Sequence, residues 1–214
     1  MANYLLFDLD GTLTDPKVGI TTSVQYALAH FGIQVEDPDT LSHFIGPPLL
    51  DSFRQEYGFD DLTARAAVEK YRERFGVKGM YENEVYPGIP EMLQGLVQAG
   101  KTLAVATSKL EPYAVQILEH FGLAQYFALV VGSLPDGSRS EKGEVIAEVL
   151  RRLQAAPNEA MMVGDRKYDI LGAKAKGVAA IGVDYGYASP GELEEAGAGR
   201  IARSVEELHS LLLE

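Results

Sequence analysis

Four apolar residues, Tyr4-Leu5-Leu6-Phe7, run without a polar interruption and stop at Asp8. A short continuous run of this kind, broken soon afterwards by Gly11, reads as a strand at Leu5–Phe7 buried on both faces, as in a parallel sheet. The pattern then turns helical. Ile20, Val24, Ala27, Leu28 and Phe31 fall on one helical face, and Gly32 supplies a C-terminal stop. A turn-rich stretch, Glu36-Asp37-Pro38-Asp39, leads to Phe44-Ile45-Gly46-Pro47-Pro48. Two further helices are predicted, Leu49–Tyr57 and Thr63–Phe75, ended by Gly58 and Gly76; the second carries Val68, Tyr71 and Phe75 at helical spacing.

After Pro87-Gly88 the rhythm changes to strand and helix in alternation. Helix Pro90–Ala99 precedes strand Thr102–Ala106, and helix Glu111–Phe121 precedes strand Ala128–Val131. Helix Lys142–Leu153 then leads to strand Ala160–Val163, and helix Ile170–Lys176 to strand Ala179–Val183. Repeated βα units predict an α/β fold with a doubly wound parallel sheet. The expected organisation is a Rossmann-like core of residues 1–14 and 84–214, with an all-helical insertion over 15–83. An insertion at that point leaves from the carboxyl end of the first strand, where ligands gather in such sheets, so it is expected to act as a lid.

Composition narrows the picture by exclusion. At 214 residues the chain can bury a full core, and no repeat or low-complexity tract interrupts it. A formal net charge of −12 argues against nucleic acid polymers and anionic membranes as partners, since either requires a basic face. A small phosphorylated metabolite stays open, because one local cluster of positive charge or a bound metal overrides the global sign. With no cysteine, disulfides, thiolate zinc sites and cysteine nucleophiles are ruled out. No apolar run approaches the roughly 18 residues of a membrane helix, and the first strand begins too early for a signal peptide, so a cytoplasmic location is expected. Both a monomer and a homodimer are compatible with the sequence.

The candidate chemistry lies at the strand ends. The first strand delivers Asp8 and Asp10, two carboxylates whose proximity is costly unless a cation or a proton neutralises them. The second delivers Thr107-Ser108-Lys109; Lys142 opens a helix after Ser138-Arg139-Ser140-Glu141; and Met161-Met162-Val163-Gly164 delivers Asp165, with Asp169 four residues on. Taken singly, Thr107 and Asp169 would be helix caps and Lys142 a surface lysine. Taken in order on one sheet, they suit phosphoryl transfer. Asp8, Asp10 and Asp165 offer a hard oxygen site for Mg²⁺, and a lysine with hydroxyl donors can hold phosphoryl oxygens. One carboxylate can attack phosphorus while another moves protons.

These residues resemble, in order, the four motifs of the haloacid dehalogenase superfamily: Asp8-Leu9-Asp10-Gly11-Thr12, Thr107-Ser108, Lys142, and Gly164-Asp165 through Asp169. The helical insertion resembles the C1 cap of its phosphoglycolate phosphatase and β-phosphoglucomutase branch. What the resemblance implies is Asp8 as nucleophile and Asp10 as general acid/base. It further implies Mg²⁺ held by Asp8, Asp165 and the Asp10 backbone carbonyl, with Asp169 supporting the metal and Lys142, and phosphate held by Thr107, Ser108 and Lys142. The chain departs from the branch at Ser108, where asparagine is frequent, and at Arg166 and Lys167, where a small residue is commoner. Arg166 and Lys167 either add positive charge near the site or are solvated on the following turn.

The second acid, Asp10, argues against a dehalogenase, which needs no proton donor for a leaving alkoxide. A phosphonate hydrolase would need a Schiff-base lysine in the insertion, and only Lys17, Lys70 and Lys78 are available there. A phosphomutase uses the same core and remains the alternative within catalysis; a vestigial binding module is the alternative outside it. The loop Phe44-Ile45-Gly46-Pro47-Pro48-Leu49 resembles a cap loop of phosphoglycolate-phosphatase-like and 5′-nucleotidase-like members. It makes Gly46, Pro47 and Leu49 substrate-side candidates, with Arg54 and Arg139 as partners for a second anionic or polar group. The expected activity is that of a Mg²⁺-dependent phosphatase acting on a small phosphomonoester.

Overall fold

The computed structural model describes residues 2–214, which divide into two compact units, residues 2–15 with 85–214 and residues 16–84. In the first unit, strands β1 (Tyr4–Phe7), β4 (Thr102–Leu110), β5 (Phe127–Ser133), β6 (Ala160–Gly164), β7 (Ala179–Val183) and β8 (Arg200–Ala202) form one sheet. Its order is β5-β4-β1-β6-β7-β8, and every neighbouring pair is parallel. The strand sequence steps outward from β1 through β4 to β5 in one direction and then, from β6 to β8, in the other, so the switch point falls at β1, beside β4 and β6.

Helices α4 (Ile89–Gln98), α5 (Glu111–His120), α6 (Lys142–Leu153), α7 (Lys167–Ala175), α8 (Glu192–Ala196) and α9 (Val205–Leu213) connect or follow these strands. Apolar strands of Leu, Val, Ala and Met are buried between them: Leu6, Ala104, Ala106, Val131 and Met162 pack with Val145, Ile146 and Val149 of α6. Strand β8 and helices α8 and α9 extend the fold beyond the predicted elements. A three-residue strand that opens on an exposed arginine leaves no apolar run to read.

Several boundaries differ from expectation for identifiable reasons. Strand β4 was expected to end at Ala106 but runs on to Leu110, with a register shift against β5 between Ala106 and Leu110. Such an irregularity lets a strand continue while redirecting its side chains. Helix α7 starts at Lys167 rather than Ile170, because the Asp169 carboxylate accepts the Arg166 N–H and closes the first turn early.

The second unit is helical: α1 (Lys17–His30), α2 (Leu49–Tyr57) and α3 (Asp61–Phe75), with 3-10 turns at Pro38–Phe44 and Gly79–Tyr81. Helix α3 begins two residues earlier than predicted because Asp60 caps it, accepting from the Thr63 N–H at 2.8 Å. Phe44, Phe53 and Phe59 form its aromatic centre, with Val24, Leu28, Val68 and Phe75 also buried. The short strands β2 (Thr14–Asp15) and β3 (Glu84–Val85) pair in a separate two-stranded sheet. Among the described residues no helix is long and apolar enough to cross a membrane.

Candidate active site

Register brings the carboxyl ends of the three central strands level. Phe7 pairs with Val105 on one side and Val163 on the other, so the residues that follow each strand emerge together. Those residues are Asp8 and Asp10, Thr107 to Lys109, and Asp165. All but Ser108 and Lys109 are buried, and Lys109 keeps only 7% of its side chain exposed. Burying so many acids requires internal compensation, since an unpaired charge in a low-dielectric site is costly.

Lys142 supplies much of it. Its ammonium lies 2.9 Å from Asp8 Oδ1 and 2.8 Å from Asp169 Oδ1, and donates to the Ala106 carbonyl at 3.0 Å. Three donors thus meet three acceptors, fixing the side chain without freedom to swing. Burial opposes the lysine's charge, but the Asp169 and Asp8 carboxylates outweigh it and hold the pKa above the ordinary range. Packing makes room for the stem: a Cβ added at Gly172 would stand 3.0 Å from Lys142 Cβ and Cγ.

Asp10 has a different partner. Lys109 reaches it at 2.9 Å (to Oδ2), while its buried Oδ1 accepts no hydrogen bond. Burial raises the Asp10 pKa, and the Lys109 charge only partly offsets that rise. The two acids of the opening motif therefore sit in distinct electrostatic settings, Asp8 against Lys142 and Asp10 against Lys109. A lysine two positions beyond Thr107 was the available signal for Lys109. The expected site did not include it.

Asp165 is fully buried, with its Oδ2 accepting the Tyr187 N–H at 2.8 Å and its Oδ1 reached by the Thr12 hydroxyl at 3.5 Å. Burial, followed by the Asp169 and Asp8 charges, raises its pKa well above the carboxylate range. Burial likewise raises that of Asp169, against the pull of Lys142. Glycines shape this pocket. Gly11 has φ +77°, and a Cβ there would fall 2.1 Å from Asp165 Oδ2; one at Gly164 would fall 2.1 Å from Asp169 Cγ; one at Gly186 would fall 2.4 Å from Asp165 Cβ. The contribution of Tyr185, Gly186 and Tyr187, on the loop after β7, was not expected, because these three residues carry neither carboxylate nor lysine.

The donor set fits Mg²⁺. Asp8, Asp165 and Asp169 each offer a buried carboxylate oxygen, and the three lie within 4.8 Å of one another. All-oxygen donors at that spacing suit a hard cation, and burial of Asp165 and Asp169, which raises their pKa values, leaves carboxylates whose charge such a cation would stabilise. The cluster includes Asp169 directly, whereas the resemblance gave it a supporting part. Asp165→Asn is accordingly expected to raise the melting temperature measured in EDTA and to abolish the further rise on adding Mg²⁺; thermal melts of both proteins with and without the ion check this.

The remaining candidates are placed differently. Thr107 is buried and its Oγ1 accepts the Lys109 N–H at 3.3 Å; Ser108, next to it, is half-buried. Arg139, expected to meet substrate, instead braces its own loop. It donates to the Gly132 carbonyl at 2.7 Å, pairs with Glu111 at 2.5 Å, and lies 3.9 Å from Glu148. Gly46, Pro47, Leu49 and Arg54 all belong to the helical unit, where Arg54 is engaged by Asp51 and Asp61. Arg166 is not solvated: it is buried, paired with Glu192 at 2.9 Å, and its N–H donates to Asp169. Lys167 is exposed, and its N–H meets the same glutamate at 2.8 Å.

Comparison with known proteins finds relatives over most of the chain. Residues 5–183 match the model of the family described as haloacid dehalogenase-like hydrolase. A 5′-nucleotidase of Pseudomonas aeruginosa is 53% identical over 189 residues, covering 88% of this chain and 86% of that protein. The tyrosine-protein kinase PtkA of Mycobacterium tuberculosis is 39% identical over 97% of this chain and 72% of its own length. A crystal structure of a predicted phosphatase from Clostridium acetobutylicum superposes with a TM-score of 0.98 at 50% identity, covering 100% of this chain and 99% of the other.

Proposed function

The chain belongs to the haloacid dehalogenase-like hydrolase family, and from that premise we propose that it is a Mg²⁺-dependent phosphatase. It hydrolyses a small phosphomonoester through an aspartyl-phosphate on Asp8. The observation that carries this reading is the separation of the two motif acids onto two lysines, with Asp8 held by Lys142 at 2.9 Å and Asp10 by Lys109 at 2.9 Å. One acid is oriented as a nucleophile, and the other is biased by burial toward the protonated form that a leaving oxygen needs.

In the first half-reaction an Asp8 oxygen forms a bond to phosphorus and the phosphorus–ester oxygen bond breaks. Asp10 gives its proton to the departing alkoxide. In the second, Asp10 takes a proton from water, the water oxygen attacks phosphorus, and the Asp8–phosphorus linkage breaks to release inorganic phosphate. Thr107 and Ser108 provide donors for the equatorial oxygens, and the Lys142 ammonium, committed to Asp8, Asp169 and the Ala106 carbonyl, offsets the negative charge that concentrates there through its own charge. Asp8, Asp165 and Asp169 would hold Mg²⁺, with the Asp10 carbonyl as a fourth oxygen; when bound, the ion offsets phosphoryl charge and lowers repulsion between Asp8 and the substrate.

The 5′-nucleotidase name of the Pseudomonas relative supports a nucleoside 5′-monophosphate as the first substrate to test, with phosphoglycolate second. Nucleoside monophosphates, phosphoglycolate, hexose phosphates and phosphotyrosine, offered with Mg²⁺ or EDTA, are expected to release phosphate only with Mg²⁺ and fastest from a nucleotide. Equal release in EDTA, or no release from any of them, overturns the reading. Isomerised hexose phosphate without free phosphate assigns the chain to the mutases instead.

A further inference from the structure

Beyond Asp184, the loop after β7 reaches the acid cluster with Tyr185-Gly186-Tyr187, which carry neither carboxylate nor lysine. It nonetheless makes several contacts there. The Tyr187 N–H donates to Asp165 Oδ2 at 2.8 Å. The Tyr185 hydroxyl donates to the Thr12 carbonyl at 3.0 Å, and the Tyr187 hydroxyl donates to the Asp15 carboxylate. Between them Gly186 lies so close that a Cβ would stand 2.4 Å from both Asp165 Cβ and the Gly11 carbonyl oxygen. The Tyr185 ring meets Tyr86 edge-on, with centroids 5.1 Å apart at 68°, which fixes the direction of its hydroxyl.

We infer that Tyr185-Gly186-Tyr187 is a positioning element that clamps the Gly11–Asp15 segment to Asp165 and so sets the metal-binding carboxylate in register with Asp10. The inference rests on the phosphatase reading above. Its logic is geometric. Asp165 directly follows β6, whereas the segment after Asp10 turns at Gly11, with φ +77°, into β2, which pairs with β3 and not with the six-stranded sheet. Sheet pairing holds β1 to β6 as far as the Asp8 N–H, which donates to the Val163 carbonyl at 2.9 Å. Beyond that point Thr12 reaches Asp165 only at 3.5 Å, so direct contact alone holds the turn weakly. The tyrosine turn supplies better-formed bonds on both sides of the gap, two to the segment and one to Asp165.

Partners that orient a metal ligand commonly change metal affinity or activity by about 10- to 100-fold when removed. The test uses the full chain and Mg²⁺ alone, titrated by calorimetry, with kcat and KM for a phosphoester measured in parallel. Tyr185→Phe/Tyr187→Phe removes both hydroxyl bonds but keeps the rings and the Tyr187 N–H. It is expected to weaken Mg²⁺ binding about tenfold and to lower kcat more than it raises KM. Tyr187→Phe and Asp15→Ala should be non-additive, and Asp15→Asn, which keeps an acceptor oxygen, should retain most of the affinity. Gly186→Ala should cost more than either, because it displaces Asp165 itself.

A double tyrosine variant that melts at a lower temperature yet binds Mg²⁺ and turns over like the parent overturns the inference, since the turn would then be structural only. A parent protein that binds no Mg²⁺ overturns the phosphatase reading and this inference with it. Parent binding with indifferent variants overturns the clamp alone.

Discussion

Asp8→Asn is expected to lower turnover by about 10⁴-fold or more, the scale seen when a catalytic nucleophile is removed. The substitution is nearly isosteric. Asp8 Oδ1 accepts the Leu9 N–H at 2.8 Å and faces Lys142 at 2.9 Å, and an amide oxygen can serve both contacts. Loss of activity would therefore come from chemistry and not from a collapsed site, because an amide does not form a phosphoryl linkage. Removing one anion from a cluster that also holds Asp165 and Asp169 should leave the protein at least as stable in EDTA. Phosphate release by purified, mass-verified variant, alongside a melting curve, reads both quantities. Turnover within tenfold of the parent, with deamidation excluded, would sink the nucleophile assignment. Loss of activity together with a large drop in melting temperature would show that Asp8 is structural as well.

Much of this site was legible because its residues are chemically conspicuous and fall at strand ends. Apolar runs of four or five residues located β1, β6 and β7, and a parallel sheet then dictates that whatever follows each run emerges at one edge. That logic brings Asp8, Thr107 and Asp165 together before any coordinate is known. It fails where position is set by pairing and not by composition. Lys109 went unassigned because β4 was expected to end at Ala106, whereas the strand continues through a register shift that redirects the residues after it. The Tyr185-Gly186-Tyr187 turn went unread because a backbone N–H and a missing Cβ leave no chemical mark in a sequence. Arg139 shows the converse, partners that the sequence does not announce. A lone arginine before a motif lysine invites a ligand, but Glu111 on α5 and the Gly132 carbonyl at β5 already satisfy it, and only the fold brings those partners near. The C-terminal elements escaped for a thermodynamic reason: β8 spans three residues, and a strand so short is stabilised by its neighbour β7 and not by its own pattern.

Lys142→Met should damage both stability and activity, and the way it does so separates an electrostatic role from a packing one. Methionine has nearly the length of the lysine stem, so the space that Gly172 leaves beside Lys142 Cβ and Cγ stays filled. What is lost is the ammonium that faces Asp8 at 2.9 Å and Asp169 at 2.8 Å. Removing one member of a buried ion pair costs about 3–5 kcal/mol, because the partner remains buried without compensation. Urea unfolding in EDTA at neutral pH should show a deficit of that size. The sign of its pH dependence follows from the carboxylates. Without the lysine, the Asp169 pKa rises further, so the variant holds a proton there that the parent holds less firmly. Lowering the pH protonates the stranded acids, and the deficit relative to the parent should shrink. A deficit independent of pH would mean that packing, not charge, was lost. Mg²⁺ should restore part of the stability, since a cation among Asp8, Asp165 and Asp169 takes over the neutralising role. It should not restore turnover, expected to fall by at least about 10²–10³-fold, because the cation cannot replace the ammonium that orients Asp8 and adds positive charge beside the phosphoryl group. Recovery of stability without recovery of activity is the result that would tie this one ammonium to both tasks.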